Sequence, residues 1–275
     1  MNATLFPELT TSVIDAMKDA ANPRLREIMT VLVRHLHDVI RETRLTEGEW
    51  AAAIEFLTAT GGICSSTRQE FILLSDTLGV SMLVDAVNHD GGEAVTPSTV
   101  FGPFYSGEQD ELPAGASILK RPEAGEPTLV SGLILDDSGT PIEGALIEVW
   151  QTAPCGLYDV QDHEQPDGHL RGSFRSAADG SYSFETVLPV SYPIPDDGPV
   201  GKMLRALGRH PNRPAHIHFM ISAPGYRRLV THIFVAGDDY LASDAVFGVK
   251  PDLIVHPTAH EDGMAIAYDF RLAGA

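Results

Sequence analysis

The chain has 275 residues, 43% hydrophobic and 21% charged, a composition that excludes wholesale disorder. Its 38 acidic and 19 basic residues leave a formal net charge of -19, which repels nucleic acid and anionic membrane surfaces as partners. Two cysteines, Cys64 and Cys155, stand outside any CxxC cluster, so a disulfide framework is excluded and a reducing compartment fits. The opening MNATLFPELTTS lacks the basic start and apolar run of a signal peptide, and no run approaches the roughly 18 apolar residues of a membrane span. The expectation is a cytoplasmic protein that does not cross or bind a membrane.

Residues 1–87 carry helical periodicity. Leu25, Ile28, Met29, Leu32, Leu36, Val39 and Ile40 recur at three- and four-residue steps, predicting an amphipathic helix over 23–42 with Asn22 as cap and Pro23 at its first position. Thr46-Glu47-Gly48-Glu49 reads as a capping box that opens a helix through Trp50 to about Leu57, stopped by Gly61-Gly62. Thr67-Arg68-Gln69-Glu70 opens one more, through Phe71, Leu74, Leu78 and Met82 to about Val87. Residues 88–125 are rich in Gly and Pro without a sustained period, and predict an extended connection.

From residue 126 to 275 the chain reads as short strands divided by turns. Val130–Leu135 and Ala145–Trp150 flank one loop, and Asp179-Gly180 divides Phe174-Arg175-Ser176 from Ser181-Tyr182-Ser183-Phe184. His216–Ser222, Leu229–Val235 and Ala265–Leu272 supply further strands. Short strands at this spacing favour a β-sandwich or barrel. No internal repeat or low-complexity tract is present.

Arg213-Pro214-Ala215-His216-Ile217-His218-Phe219 is the most informative segment. On a strand, alternate side chains share a face, so His216 and His218 project together as a ready ligand pair while Ile217 points the other way. Many strands carry His-x-His without a metal. A zinc or cupin-like site would add a third His or a carboxylate, and no segment offers an evident candidate at a matching strand position. Two tyrosines stand upstream instead, Tyr158 in a turn and Tyr192 between prolines. Each alone reads as packing, but the order Tyr, Tyr, His, His is unusual.

Four motifs in succession, Glu148-Val149-Trp150-Gln151, Gly156-Leu157-Tyr158, Tyr192-Pro193-Ile194-Pro195 and Arg213-Pro214-Ala215-His216-Ile217-His218, resemble those of the intradiol dioxygenases that act on catechols and hydroxyquinol. The likeness extends over the helical front half and the Gly102-Pro103 connection. It implies a mainly β protein, with a β-sandwich catalytic domain and an N-terminal α-helical dimerisation and linker region. It further implies one Fe(III) per subunit held by Tyr158, Tyr192, His216 and His218, with hydroxide as fifth ligand. Phenolates are hard anionic donors that favour Fe(III). Tyr192 is then the ligand that leaves and takes a substrate proton, and Arg213 steadies charge developing on the ring.

The resemblance also sorts the substrates. Leu73, Asp76, Val100, Phe101, Gly102, Pro103, Phe104, Ile194, Pro195, Arg213 and Val246 fall on pocket positions, and the Val-Phe-Gly-Pro-Phe run resembles the hydroxyquinol 1,2-dioxygenases. His232, where catechol-type members tend to have Gln, marks the same subgroup, and a further ligand role is not expected of it. Asp76 can accept a hydrogen bond from the third hydroxyl of hydroxyquinol, or be a solvated helix residue. A catechol or chlorocatechol substrate is the nearer alternative. A non-enzymatic transthyretin-like binding module, suggested by the strand-turn-strand over 135–149, is the more distant one. In the family the front helices form a homodimer and enclose a phospholipid channel. The stripe from Leu25 to Ile40 is compatible with that and with simple packing onto the sandwich.

Overall fold

The computed structural model describes residues 6–65, 68–89, 92, 94–107 and 109–275. They form two compact units, Met1–Gly62 and Ile63–Ala275. This division falls inside the helical half, since helices continue to Asn88 and the last two belong to the second unit.

The first unit holds α1 (Pro7–Asp15), α2 (Pro23–Thr43) and α3 (Glu47–Gly62). Asn22 caps α2, its side chain accepting from the Leu25 N–H at 3.0 Å, and Pro23 takes the first position, where its missing N–H costs nothing. The Thr46 box also forms: Glu49 Oε2 accepts the Thr46 N–H at 2.8 Å, and Thr46 Oγ1 accepts the Glu49 N–H at 3.3 Å. Helix α3 runs on to Gly62 rather than stopping near Leu57, so the two glycines end it from within. Helices α1 and α2 are joined by Thr10 Oγ1 to His37 Nδ1 at 2.9 Å. The α2 stripe is not buried: Leu25, Ile28, Leu32, Leu36, Val39 and Ile40 are all exposed in the single chain.

The second unit starts with α4 (Glu70–Thr77) and α5 (Val80–Asn88). The sequence predicted one helix here. The chain breaks at Gly79, whose φ of 72° lies in the left-handed region open to glycine, and this turns α5 away from α4. Thr67, read as part of the opening cap, lies outside the described residues. Glu70, buried at 1% exposure, accepts the Val200 N–H at 3.1 Å and so ties α4 to α6 (Pro199–Ala206).

The sandwich comprises β1 (Pro127–Asp136), β2 (Leu146–Trp150), β3 (Arg171–Arg175), β4 (Ser181–Val187), β5 (Tyr192–Pro193), β6 (Asn212–Arg213), β7 (His216–Ser222), β8 (Leu229–Val235), β9 (Ile254–Val255), β10 (Thr258–His260), β11 (Gly263–Ala267) and β12 (Phe270–Leu272). One sheet is ordered β10-β11-β1-β12, with β4 also on β1; the other is β3-β2-β7-β8-β9. The predicted strand over 265–272 is two strands, which pair in parallel with successive stretches of β1. The pairs β1/β2 and β3/β4, neighbours in sequence, lie in opposite sheets, so their connections cross from one sheet to the other; after β1 the chain first folds back through an antiparallel bridge between Leu135 and Pro141.

Between the sheets Val130, Ile134, Phe184 and Phe270 meet Ile147, Val149, Phe174, Ile217, Phe219 and Ile233, each at 1% exposure or less. Truncating one of these phenylalanines to alanine costs roughly 3–5 kcal/mol. Because side chains alternate, these inward residues fix which neighbours face outward. Every other position of the second sheet projects from its outer face, where the chemistry gathers.

Candidate metal centre and substrate pocket

Registry builds the outer face. Trp150 on β2 stands opposite Arg171 on one side and His218 on the other, and His218 stands opposite His232. Arg171, Trp150, His218 and His232 thus form one cross-strand row, with His216 one step along β7. Trp150 stacks on the His218 ring, centroids 4.7 Å apart and 14° from parallel. Gly102 closes in from the connection: a Cβ there would come 3.1 Å from His218 Cε1, and its φ of 76° further restricts the position to glycine.

The four expected ligand residues converge. His216 Nε2 is 3.2 Å from His218 Nε2, His218 Nε2 is 3.0 Å from the Tyr158 hydroxyl, and that hydroxyl is 3.1 Å from the one on Tyr192. Tyr158 comes from the turn after β2, while Tyr192 is brought in by β5, where it pairs with Arg213. Their exposures lie between 1% and 4%. His216 Nδ1–H donates to the Pro214 carbonyl at 2.6 Å, which leaves Nε2 as the ring's acceptor. Burial holds both histidines well below their ordinary pKa and therefore neutral, the form a metal requires. Burial likewise pushes the Tyr158 phenol well above its ordinary value, with Tyr192 adding to this and Arg213 and Arg171 opposing it. Tyr192 is raised by burial, against Arg213. Two anionic phenolates in so dry a place need a compensating cation.

Arg213, 3% exposed, donates from Nη1 to His216 Nε2 at 3.1 Å and is held by Asp244, whose Oδ1 lies 3.2 Å from its Nε. Sequence reasoning missed Asp244, for which the one available signal was that a buried Arg213 needs a counter-charge. It marks His232 as a subgroup position but gives no sign that the ring stands beside the other two histidines. The sequence offered no evident third histidine, yet the ligand atoms of His216, His218 and His232 lie within 4.8 Å of one another. Thr99 Oγ1 hydrogen-bonds His232 Nδ1, and Nε2 has no hydrogen-bond partner among the described residues. What hid this is pairing: only knowledge that β8 adjoins β7 in this register puts residue 232 opposite residue 218.

Of the expected pocket residues, Leu73, Val100, Ile194 and Val246 pack into one buried cluster with Val200, Leu204 and Ala245. Asp76 is 3% exposed, and burial raises its carboxyl above the ordinary value, with Ser81 and Arg213 opposing and Asp244 adding. It lines a cleft of about 790 Å³ with Thr99, Val100, Phe101 and Gly102. Phe104 stacks on Tyr158 at 4.6 Å. Phe101 sits edge-on to Tyr105 at 4.8 Å and is 39% exposed, so it borders the cleft rather than joining the buried cluster. Pro103 is exposed in a turn and Pro195 half-buried, neither in the buried cluster.

Family models match the chain twice: one described as the catechol dioxygenase N terminus over residues 22–96, and one described as dioxygenase over residues 100–274. The chain belongs to the intradiol dioxygenases. It is 53% identical over 252 residues to the hydroxyquinol 1,2-dioxygenase of Rhizobium sp., covering 91% of this chain and 85% of that one. It is 51% identical over 265 residues to the 6-chlorohydroxyquinol 1,2-dioxygenase of Cupriavidus pinatubonensis, covering 96% of each. The crystal structure of the hydroxyquinol 1,2-dioxygenase of Pseudomonas putida superposes with a TM-score of 0.92 at 49% identity, covering 98% of both chains. This dioxygenase is therefore an enzyme of a non-haem iron family. No helix among its described residues is long and apolar enough to cross a membrane.

Proposed function

We propose that this dioxygenase cleaves hydroxyquinol with O2 to 3-hydroxy-cis,cis-muconate, which tautomerises to maleylacetate, using one Fe(III) per subunit held by Tyr158, Tyr192, His216 and His218. The carrying observation is the donor set itself. Two neutral imidazoles and two buried hydroxyls lie in succession, His216, His218, Tyr158 and Tyr192, each donor atom 3.0–3.2 Å from the next, and the hard oxygen donors suit a ferric ion. The residues fit the metal. When bound, iron supplies the Lewis acidity that takes up the diol as a dianion and makes its ring reactive toward O2.

The chain's own groups do the rest. Tyr192 Oη, on its short β5 strand, receives a proton from the diol as the substrate binds. Arg213 holds a fixed positive charge beside the ring, kept in place by Asp244, and steadies negative charge that develops there. Leu73, Val100, Ile194 and Val246 exclude water and clamp the ring's faces. Asp76, buried at the cleft wall, accepts a hydrogen bond from the third hydroxyl, and a diol lacking that hydroxyl leaves it unpaired.

The exposed α2 stripe supports a homodimer through the N-terminal helices. A cavity of about 350 Å³ in the first unit, lined by Phe6, Leu9, Ile40 and Leu45 together with His37, Arg41 and Arg44, supports a bound phospholipid. Organic extraction of the purified protein followed by mass spectrometry tests for that lipid.

Oxygen uptake with hydroxyquinol and with catechol, autoxidation subtracted, tests the substrate. A large preference for hydroxyquinol is expected, and equal rates would return the assignment to catechols. The three-histidine cluster favours a second reading, a zinc site on His216, His218 and His232. Metal analysis separates the two: a red protein with about one iron per chain supports the first, and a colourless zinc protein the second.

A further inference from the structure

Beside Tyr158 lies a buried charge that the reaction above does not use. Arg171, on β3, is 3% exposed, and its guanidinium carbon sits 5.7 Å from the centre of the Tyr158 ring. Its companion is Asp159, the residue after Tyr158. Asp159 Oδ1 lies 2.7 Å from Nε and 2.6 Å from Nη2, one oxygen shared along the guanidinium edge. The other oxygen, Oδ2, accepts the Gly168 N–H at 2.8 Å. Neither Nη1 nor Nη2 has an aligned acceptor among the described residues. A buried guanidinium that leans on one carboxylate, with Nη2 in close but poorly aligned contact and Nη1 without an acceptor among the described residues, is incompletely compensated. Asp110 and Asp167 line an open pocket with Arg171, Asp110 being exposed and paired with Lys120; the buried group able to carry negative charge whose ring face the guanidinium approaches is the Tyr158 phenol.

We propose that Arg171 is a positioning residue for the metal centre: it holds the Tyr158 ring through Asp159 and sets how strongly the Tyr158 phenolate donates to iron. This rests on the ligand assignment above. Positive charge against the ring lowers the energy of the phenolate's filled orbitals, so moving an electron from phenolate to ferric iron takes more energy. The carboxylate of Asp159 works in the opposite sense. Between them the pair fixes the colour of the protein and the ease with which its iron is reduced.

The test compares iron-loaded Arg171→Gln, Arg171→Lys and Asp159→Asn with the parent, reading iron content and the position of the visible phenolate-to-iron band. The expected result is a shift to longer wavelength in Arg171→Gln, a shift to shorter wavelength in Asp159→Asn, and a band near the parent's in Arg171→Lys. A pair that merely fastened the turn to β3 would move both variants the same way or neither, and that outcome overturns the proposal. If Arg171→Gln does not fold or hold iron, Asp159→Asn decides alone, since an unmoved or red-shifted band there is equally fatal. Absence of any such band in the iron-loaded parent would instead overturn the ligand assignment.

Discussion

On α2, seven large apolar side chains from Leu25 to Ile40 keep between 46% and 54% of their surface accessible. Around the outer face of the β3-β2-β7-β8-β9 sheet, by contrast, three histidines and two arginines are at 3% or less. Both depart from the ordinary rule that apolar groups go in and charges stay out. They differ in what makes good the departure. An apolar stripe needs only a complementary apolar surface, so its geometry is forgiving. Buried titratable groups need specific partners at hydrogen-bond distance, so each depends on its neighbours and tolerates little.

Substitutions sharpen the contrast. The largest effect is expected at His218, where alanine removes a ligand: iron and colour are lost and kcat/KM falls roughly 10³-fold or more. Metal analysis and oxygen uptake check this, and full colour would break the ligand assignment. Arg213→Ala should retain iron yet lower kcat by roughly 10²-fold, read by oxygen uptake at saturating substrate on protein of verified iron content.

Asp76→Asn comes next. The preference for hydroxyquinol over catechol should fall roughly tenfold, measured as the ratio of kcat/KM values. The same variant carries a pH signature. Burial raises the Asp76 carboxyl above its ordinary 3.8, so the folded protein binds that proton more tightly than the unfolded chain. Stability from this group is therefore present at low pH and lost as pH climbs through the raised value. Asp76→Asn should thus melt higher than the parent at neutral pH and alike near pH 3; a difference that grows toward acid would refute the assignment. Smallest for the chain itself is Leu32→Asp with Leu36→Asp, which should change protomer stability by about 0.5 kcal/mol or less at each site. Sedimentation should nonetheless show the dimer dissociating, whereas an unmoved monomer would remove the dimer.

Local signals were legible where chemistry is local. Asn22 and Pro23, the Thr46 box and the alternation His216-Ile217-His218 all appear in the structure as the sequence predicts. Reading failed where a residue's meaning lies in what sits beside it. Gly79 went unread as a helix break because the apolar period continues across it. His232, Asp244 and Arg171 owe their placement to strand registry and ion pairing, which leave no trace in neighbouring residues. Tyr158 and Tyr192 stand out in the sequence only through the ordered motifs of the family, since neither turn nor proline context distinguishes them from packing residues.

The parallel pairing of β11 and β12 with β1 bears on how the protein is made. Val130 on β1 meets Ile266, and Ile134 meets Phe270, so the middle strand of one sheet waits for partners more than a hundred residues downstream. On the ribosome, the apolar face of β1 emerges long before those partners exist, with β4 as its only sheet neighbour until then. Closure of such distant pairs is slow, and the half-built sheet presents an open edge throughout synthesis. A loss of yield at high expression temperature, relieved by added chaperones, is the expected consequence of this open edge.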